Sequence, residues 1–385
     1  MNPLYAALPT TIFETMSALA RETGAVNLGQ GFPEDDGPVA LREIAARALI
    51  EGPNQYPPMR GLPALREAVA THYAAHQGVA LDWTREVTVT SGATEALAAA
   101  FLALVAPGDE AIVFAPSYDS YAPMLRRAGA EVRAVPLKPP AWRIDRDALA
   151  AAITDRTRVI VVNTPHNPTG ALLHDDDARH LEMLCAARDI VLVADEVWEH
   201  VTFDGVAHKS LLSWPGLRAR CVKIGSAGKM FAMTGWKVGF VCASAPLTEA
   251  IAKAHQFLTF TTPPNLQTAA AAGLALPNDY FTAMRADLQR ARDRLAHGLT
   301  QAGFRCLPAQ GTYFLTVDLA ASGVAAPDAQ FAFRAVKEEG VAVIPLSAFY
   351  DSAPETGFIR LCFAKRDDTL DRGVERLTQA RKLFV

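Results

Sequence analysis

A lysine in this sequence occupies a position that suits covalent chemistry. Lys229 follows a Ser-Ala-Gly turn and precedes an apolar Met-Phe-Ala-Met run, and strand-like runs at 220–224 and 236–243 flank this connection. Burial among small and apolar residues disfavours a charged ammonium and lowers its pKa, which an amine needs in order to form a Schiff base. We therefore predict that Lys229 holds a carbonyl-bearing cofactor as a covalent imine.

Two other interpretations of this stretch compete with the imine. An isolated lysine in a connection is often a plain surface residue. A phosphate-binding P-loop is the second interpretation, but Lys223 stands where that motif needs its first glycine and Met230 stands where it needs Ser or Thr. The P-loop therefore fails on its own pattern.

Residues suited to phosphate binding lie near the ends of two predicted strands. The run VTVTSGATEAL ends a strand at Thr90 and turns through small residues into a helix that begins at Thr94. Such a helix start presents free N–H groups, and the helix dipole favours an anion there. Ser226 and Lys237 flank Lys229, where a hydroxyl donates to a phosphate and an ammonium neutralises it. A plain capped strand–turn–helix explains the first run equally well.

Polar side chains also follow two further strands. Asn163 and Asn167 follow a buried strand in VVNTPHNPTG, and Asp195 follows another in IVLVADEVWEH. A carboxylate in that place either finds a partner or has a raised pKa, and it suits a protonated ring nitrogen. The alternatives are an Asn-Pro turn and a capping or ion-paired acid. Because one or two β/α units separate Asn167, Asp195 and Lys229 from one another, we expect these groups around one ligand.

The alternation of strands and helices predicts the fold. Seven strand-like runs with helical patterns between many of them predict a doubly wound α/β fold with a mostly parallel seven-stranded sheet between helices. These runs are 87–90, 111–115, 131–135, 158–163, 190–194, 220–225 and 237–243. A long amphipathic helix at 279–302 and strand-like runs at 312–319, 341–345 and 358–364 then indicate a smaller α+β domain. We predict an N-terminal arm (1–45) that joins the small domain, a large domain (46–280) and a small domain (281–385).

Composition excludes several classes of protein. The net charge of −4 and the pI near 6.2 do not indicate the excess of positive charge that binds nucleic acid or an acidic membrane. The longest apolar run, 96–106, is too short to span a bilayer, and the amino terminus shows no signal peptide. The histidines show no paired metal spacing, so we expect no metal. The cysteines are scattered without a CxxC pair, which is typical of reduced thiols in a cytoplasmic protein; they are Cys185, Cys221, Cys242, Cys306 and Cys362.

These motifs together resemble one enzyme family. The chain resembles the fold type I pyridoxal-phosphate enzymes, specifically the class I/II aminotransferases of the aspartate-aminotransferase superfamily. Within that group it is most similar to the kynurenine/glutamine and methionine aminotransferases. The motifs that carry the resemblance span nearly the whole chain and are VNLGQGFP, NQYPPMRG, SGATEAL, PSYDSY, NTPHNPTG, DEVWEH, SAGKMFAMTGWKVG and FIRLCFAK.

The resemblance implies pyridoxal 5′-phosphate as the cofactor and a role for each matching residue. Lys229 would hold the cofactor and shuttle a proton, and Asp195 would pair with the pyridinium nitrogen. The phosphate would be held by Ala93, Thr94, Ser226, Lys237 and, from the other subunit of a homodimer, Tyr56. The cofactor ring would contact Tyr118, Asn167 and Trp198. The substrate carboxylate would be held by Arg360, Asn167 and the backbone of Gly31.

One position departs from the family pattern. Members of the family usually carry Tyr three residues after the aspartate, where it donates to the ring hydroxyl oxygen of the cofactor. This chain has Trp198 there. An indole N–H donates one hydrogen bond and cannot accept one, and its reach is longer. The residue is therefore expected either to face the cofactor in an altered way or to pack beside it.

The expected reaction is the transfer of an amino group from an L-amino acid to a 2-oxo acid. A dicarboxylate-specific enzyme needs a second arginine, and the 257–267 stretch, a candidate to line the site from the partner subunit, carries none. With Phe13 and Phe32 near the expected mouth, this favours apolar, aromatic or sulfur-containing donors of the Met, Phe, Tyr, kynurenine or Gln type. The alternatives are a pyridoxal-phosphate C–S β-lyase and a pyridoxal-phosphate-binding regulatory module, which would need an appended DNA-binding helix-turn-helix.

Overall fold

The computed structural model describes residues 1–352 and 354–385. Its strands, numbered along the chain, are β1 (Val26–Asn27), β2 (Val87–Thr90), β3 (Glu110–Ala115), β4 (Glu131–Lys138), β5 (Arg143–Ile144), β6 (Thr157–Asn163), β7 (Val191–Asp195), β8 (Cys221–Ser226), β9 (Gly239–Cys242), β10 (Arg305–Cys306), β11 (Phe314–Asp318), β12 (Val341–Ala342), β13 (Ile344–Pro345) and β14 (Phe358–Cys362).

The helices lie mostly between these strands, as the alternating pattern predicts. They are α1 (Pro3–Ala6), α2 (Ile12–Thr23), α3 (Val39–Glu51), α4 (Pro63–Gln77), α5 (Trp83–Glu86), α6 (Gly92–Leu104), α7 (Tyr121–Ala128), α8 (Arg146–Ala152), α9 (Asp175–Arg188), α10 (Ala227–Met230), α11 (Ala245–Leu258), α12 (Pro264–Leu274), α13 (Asn278–Gln301), α14 (Asp328–Glu338) and α15 (Asp367–Lys382). Within the described ranges, no helix has the length and apolar character needed to cross a membrane.

The central sheet confirms the predicted α/β architecture. Its strand order is β2-β9-β8-β7-β6-β3-β4-β5, and the pairs β4–β3, β3–β6, β6–β7 and β7–β8 are parallel. All seven predicted strands are present, and the two-residue β5 adds an antiparallel edge strand. Every residue of β3 and β8 is buried, as expected for strands whose two faces are both covered. The sheet is therefore the inner layer of a doubly wound fold.

A second, smaller sheet follows in the carboxyl-terminal part of the chain. It is antiparallel, has the order β10-β11-β14-β13, and aligns Thr316 on β11 with Arg360 on β14. The run 341–345, which the sequence analysis treats as one strand, forms two short ones. Its first half pairs with β1 near the amino terminus, and its second half pairs with β14. Val343 lies between the two pairings and separates them. This split joins the amino-terminal segment to the smaller sheet.

Candidate active site

A cavity of about 500 Å³ lies at the carboxyl ends of the central strands. Eleven of the twelve residues predicted from the sequence to bind cofactor or substrate line this cavity, and they are Gly31, Ala93, Thr94, Tyr118, Asn167, Asp195, Trp198, Ser226, Lys229, Lys237 and Arg360. The parallel strands end at the same edge of the sheet, which is why residues far apart in sequence meet there. The residues predicted to bind cofactor and substrate therefore line one cavity, with one exception.

Tyr56 is the exception among the predicted residues. Its side chain is 82% exposed, and its ring packs edge-on against Phe260 with 5.5 Å between the ring centroids. It is absent from the described residues that line the cavity of its own chain. The structure thus leaves Tyr56 on the surface.

Lys229 sits on a single helical turn between two strands. β8 ends at Ser226, and α10 carries Lys229 before the chain reaches β9. Its Nζ donates a 3.2 Å hydrogen bond to the Tyr313 hydroxyl and lies 4.6 Å from the centroid of the Trp198 ring. Burial lowers the pKa of Lys229 to about 8. A substantial fraction of this amine is therefore neutral near physiological pH.

Asp195 is the last residue of β7 and is almost fully buried. Its carboxylate accepts a 2.5 Å hydrogen bond from Tyr121 Oη and a longer one from the backbone N–H of Val197. Burial raises the pKa of Asp195 to about 6, and the hydrogen bond from Tyr121 opposes that rise. The carboxylate is therefore ionised at neutral pH at a desolvation cost, which a positive partner in the cavity would offset.

Two asparagines fix the loop after the neighbouring strand. Asn163 ends β6 and donates from its side-chain nitrogen to the backbone oxygen of Asp195 at 2.8 Å. Its side-chain oxygen accepts from the backbone N–H of Asn167 at 2.7 Å. The Asn167 side chain is in this way held toward the cavity, where its oxygen accepts from Arg360.

The start of α6 forms a narrow cradle. Gly92 has φ +77, and a Cβ atom there would lie 3.2 Å from Lys237 Cε. On the other side, a Cβ atom at Gly239 would lie 2.7 Å from the backbone nitrogen of Ala93. Lys237 Nζ donates to Thr94 Oγ1 at 3.4 Å, and the Ser91 side chain makes no capping hydrogen bond. The first residues of α6, whose N–H groups have no partner within the helix, therefore line the cavity beside a cation.

Arg360 lies on β14 at the opposite wall. Its Nη1 donates to Asn167 Oδ1 at 3.0 Å, and its Nη2 donates to the Gly29 carbonyl at 2.9 Å. The guanidinium lies 3.9 Å from the centroid of the Phe314 ring, and burial lowers the pKa of Arg360 to about 10. Its buried Nε has no hydrogen-bond partner among the described atoms. The guanidinium is thus oriented by its neighbours, and among the described residues no carboxylate forms an ion pair with it.

Trp198, the departure from the family pattern, packs into the wall of the cavity. Its ring meets the Tyr313 ring edge-on, with centroids 4.4 Å apart and planes 88° apart. It also contacts Phe314 and lies over Lys229 Nζ. The indole therefore faces the lysine directly, and a favourable cation–π contact is available to the protonated amine.

A buried ion network connects β8 with the residues that follow Asp195 at the end of β7. Lys223 Nζ, on β8, donates to Glu196 Oε2 at 2.9 Å and to Glu199 Oε2 at 2.6 Å, and all three side chains are inaccessible or nearly so. Burial alone would lower the pKa of Lys223, but the two carboxylates hold it above its ordinary value. Tyr73 also donates to Glu199. The two buried carboxylates therefore share one buried cation, and the Tyr73 hydroxyl stabilises Glu199 further.

The structure adds site residues that the sequence analysis does not single out. Tyr121 belongs to the PSYDSY motif and Gly92 to the SGATEAL motif, both quoted above. The position of Tyr121, three residues after the predicted ring contact Tyr118, is a signal that the sequence offers. Tyr313 is different, because it lies on the segment before β11, far from Lys229 in sequence, and only the tertiary fold reveals the contact. Phe13 lines the cavity as expected, whereas Phe32 lies outside the described lining, beneath Lys365 Nζ.

Comparison with known proteins agrees with this arrangement. Residues 23–377 match the family model for aminotransferases of class I and II. The chain is 44% identical over 372 residues to methionine aminotransferase of Escherichia coli, covering 97% of this chain and 96% of that protein. It is 35% identical over 393 residues to human kynurenine–oxoglutarate transaminase 1, covering 93% of each.

A solved structure shows the same likeness in three dimensions. The N-succinyldiaminopimelate aminotransferase of Mycobacterium tuberculosis superposes with a TM-score of 0.95 at 43% identity, covering 98% of this chain and 99% of that one. The family match, the relatives and the fold agree. The chain belongs to the class I and II aminotransferases, and it is a fold type I, pyridoxal-phosphate-dependent transaminase.

Proposed function

We propose that this aminotransferase takes its amino group from an apolar, aromatic or sulfur-containing L-amino acid of the Met, Phe, Tyr, kynurenine or Gln type. The acceptor is a 2-oxo acid, and the two half-reactions form a ping-pong cycle between the aldehyde and amine forms of the cofactor. The observation that carries this proposal is the convergence of Lys229, Asp195 and Arg360 on one cavity. An amine, a carboxylate and a guanidinium in that arrangement suit a cofactor and an amino acid side by side.

The residues present fit pyridoxal phosphate. A side chain at position 92 would touch Lys237, so the glycine there keeps the cradle open. Donors for a phosphate are supplied by Ala93, Thr94, Ser226 and Lys237. Asp195 would pair with the protonated ring nitrogen, which is the partner that its burial requires. Tyr118, Asn167 and Trp198 would bound the ring. When bound, this cofactor supplies an electron sink for the substrate α-carbon.

The chain's own groups account for the remaining roles. Lys229 would be the point of covalent attachment, and its Nζ, when free, would carry the proton that leaves and returns to the substrate. Its low pKa suits an amine that must accept a proton near neutral pH. Arg360 would bind the substrate carboxylate with two parallel N–H donors, with Asn167 and the Gly31 backbone beside it. The Phe314 ring, whose centroid lies 3.9 Å from the guanidinium carbon, would help to hold the guanidinium in place.

The lining of the cavity favours a donor without a second carboxylate. Among the described residues that line it, the cations are Lys229, Lys237 and Arg360, and each has a role assigned above. The additional charged residue is an acid, Asp119, and its pKa is raised by burial. A distal carboxylate would therefore meet no cation among these residues that lacks an assigned role. Phe13 and Leu97 supply apolar surface instead.

The test is an amino-donor screen with the purified holoenzyme. Methionine, phenylalanine, tyrosine, kynurenine, glutamine, aspartate and N-succinyldiaminopimelate would each be paired with several 2-oxo acids. We expect kcat/KM for one of the first five donors to exceed that for aspartate by at least roughly a hundredfold, the size of a missing charge partner. A kcat/KM for aspartate that equals or exceeds the highest value among those five donors would overturn the donor class. Omitting the 2-oxo acid tests lyase activity, since pyruvate and ammonia from a cysteine conjugate would then appear.

We also propose a homodimer in which Tyr56 reaches the neighbouring cavity. Tyr56, Phe257 and Phe260 are exposed, and the rings of Tyr56 and Phe260 pack against each other. Clusters of large exposed apolar side chains mark contact surfaces. Co-expression of Lys229→Ala with Tyr56→Ala tests the arrangement. If each site uses its own lysine and its partner's tyrosine, mixed dimers regain one intact site. If Tyr56 served its own chain, the mixture would stay as inactive as its components.

Two further proposals concern organisation and location. We propose the domain division 1–45, 46–280 and 281–385, supported by the pairing of β1 with β12 and by the separate small sheet. We propose a cytoplasmic location, supported by free and mostly buried cysteines, which suit a reducing compartment. Limited proteolysis would test the first by cutting in the connections nearest these boundaries, between α3 and α4 and between α12 and α13. Cell fractionation would test the second.

A further inference from the structure

Tyr313 connects the lysine to the segment expected to hold the substrate. Its hydroxyl lies 3.2 Å from Lys229 Nζ and 2.8 Å from the carbonyl oxygen of Gly31. The side chain is only 2% exposed, and its ring packs between Trp198 and Phe314. Tyr313 therefore has little freedom to place its hydroxyl anywhere else.

The backbone before β11 is shaped to deliver this side chain. Gly311 forms a β-bridge with Thr202, and a Cβ atom at Gly311 would lie 2.5 Å from Pro165 Cβ. The next residue, Thr312, adopts a left-handed conformation with φ +60. Such a conformation in a threonine persists only where the surroundings enforce it. The turn is thus held against the asparagine-containing loop, and it directs Tyr313 toward Lys229.

The direction of the two hydrogen bonds follows from the groups involved. A phenol has one O–H to donate and lone pairs to accept with. The Gly31 carbonyl only accepts, so Tyr313 donates its hydrogen there. The lone pairs of the same oxygen then accept an N–H from Lys229. An uncharged amine that donates in this way has its own lone pair directed away from Tyr313.

We propose that Tyr313 is a positioning residue that receives the Lys229 amine whenever that amine is not covalently attached. The hydrogen bond fixes one N–H of Lys229 and leaves the nitrogen lone pair available for the substrate proton. The same hydroxyl also bonds to Gly31, whose backbone is expected to contact the substrate carboxylate. One side chain therefore positions both this segment and the amine that carries the proton. This role rests on the proposed function, since it refers to the proton that Lys229 carries.

The first experiment uses the enzyme freed of cofactor. Competitive acetylation of Lys229 across pH 6–10, quantified by mass spectrometry, gives the pKa of its amine, and the second cavity of about 420 Å³ that both residues line gives the reagent access. The protonated amine gains more from a hydrogen-bond acceptor than the neutral one does. In Tyr313→Phe we therefore expect the pKa of Lys229 to fall by about 0.5 to 1 unit.

A matched control is available at Tyr350, whose buried hydroxyl has no hydrogen-bond partner among the described atoms. Tyr350→Phe removes the same atom from another buried site and should leave the pKa of Lys229 unchanged. Equal values in wild type, Tyr313→Phe and Tyr350→Phe would overturn the proposal. A fall of the same size in both variants would overturn it as well, because the effect would not belong to Tyr313.

The second experiment uses the loaded enzyme and an α-deuterated amino donor. We expect Tyr313→Phe to lower kcat by roughly tenfold or more and to raise the deuterium isotope effect, because the proton-transfer step becomes slower. A raised KM with unchanged kcat and isotope effect would overturn the proposal and reduce Tyr313 to a clamp on Gly31. Failure of the proposed function would look different: the wild type would not prefer the proposed amino donors over aspartate, while the pKa comparison in the apoenzyme would still stand.

Discussion

Tyr121 Oη lies 2.5 Å from Asp195 Oδ2, and the two side chains are buried together at the carboxyl end of β7. The phenol can only donate in this pair, because the ionised carboxylate only accepts. The hydrogen bond therefore stabilises the charged form of Asp195 against the desolvation that raises its pKa to about 6. Tyr121 thus stabilises the ionised form of the acid that we propose pairs with the cofactor.

Replacing Tyr121 by Phe should weaken cofactor binding in a pH-dependent way. Without the donor, the pKa of Asp195 rises further above 6, so the carboxylate becomes protonated at a higher pH. In wild type the apparent Kd for pyridoxal phosphate should rise as the pH falls through about 6, and in Tyr121→Phe that rise should begin at least roughly half a unit higher. Fluorescence titration of the apoenzyme from pH 5 to 8 measures both curves. Superimposable curves would show that Tyr121 does not support Asp195.

The cradle at the start of α6 predicts the effect of one methyl group. Gly92→Ala and Gly78→Ala both place alanine at positive φ, a strain of about 1–2 kcal/mol in each case. A Cβ atom at position 92 would touch the Lys237 side chain, whereas one at position 78 would meet nothing within 4 Å. We expect both variants to lose similar stability but only Gly92→Ala to bind the cofactor at least roughly tenfold more weakly. Equal affinities in the two variants would place the phosphate elsewhere.

Trp198 predicts a spectroscopic difference. A tyrosine hydroxyl at this position would donate to the ring oxygen of the bound cofactor. Stabilising the negative charge on that oxygen would lower the pH at which the cofactor, if attached to Lys229, loses its proton. In Trp198→Tyr we expect the transition in visible absorbance to move down by about one pH unit. A pH titration followed by absorbance measures it. Identical curves for wild type and variant would mean that the indole already supplies an equivalent donor.

The ion network around Lys223 predicts a large loss of stability. Lys223→Met would leave Glu196 and Glu199 buried without their cation, and breaking such a network destabilises a protein by about 3–5 kcal/mol. Lys253→Met is the control, because it breaks an exposed pair with Glu249 that contributes about 0.5 kcal/mol or less. Urea denaturation of both variants gives the comparison. If the urea midpoint of Lys223→Met differed from that of wild type by no more than the midpoint of Lys253→Met does, the stabilising role of the buried network would be contradicted.

Much of the site could be predicted from the sequence because local patterns place its residues at strand ends. Asn163, Asp195 and Ser226 end three neighbouring strands, and the alternation of apolar strands with helices is enough to bring such ends to one edge of a sheet. Lys229 follows directly from the connection after Ser226. These positions depend on short-range periodicity and on the general rule for parallel sheets.

The rest depends on contacts between distant segments. Tyr313 reaches Lys229 only because β11 and its preceding turn pack against the loop around Pro165, and no local pattern encodes that packing. Likewise, the run at 341–345 reads as one apolar strand, and its division between β1 and β14 is decided by the two partners. The edge strand β5 is too short to leave a pattern. Tertiary packing determined each of these features.

Covalent attachment at one lysine is the central claim, and borohydride reduction tests it most directly. The purified enzyme loaded with pyridoxal phosphate would be reduced, digested and mapped by mass spectrometry, with Lys229→Ala treated in parallel. We predict a phosphopyridoxyl group on Lys229 in the wild type, and loss of both the adduct and the visible absorbance in Lys229→Ala. An adduct on another lysine, or no adduct in a protein that still transaminates, would contradict the assignment of Lys229.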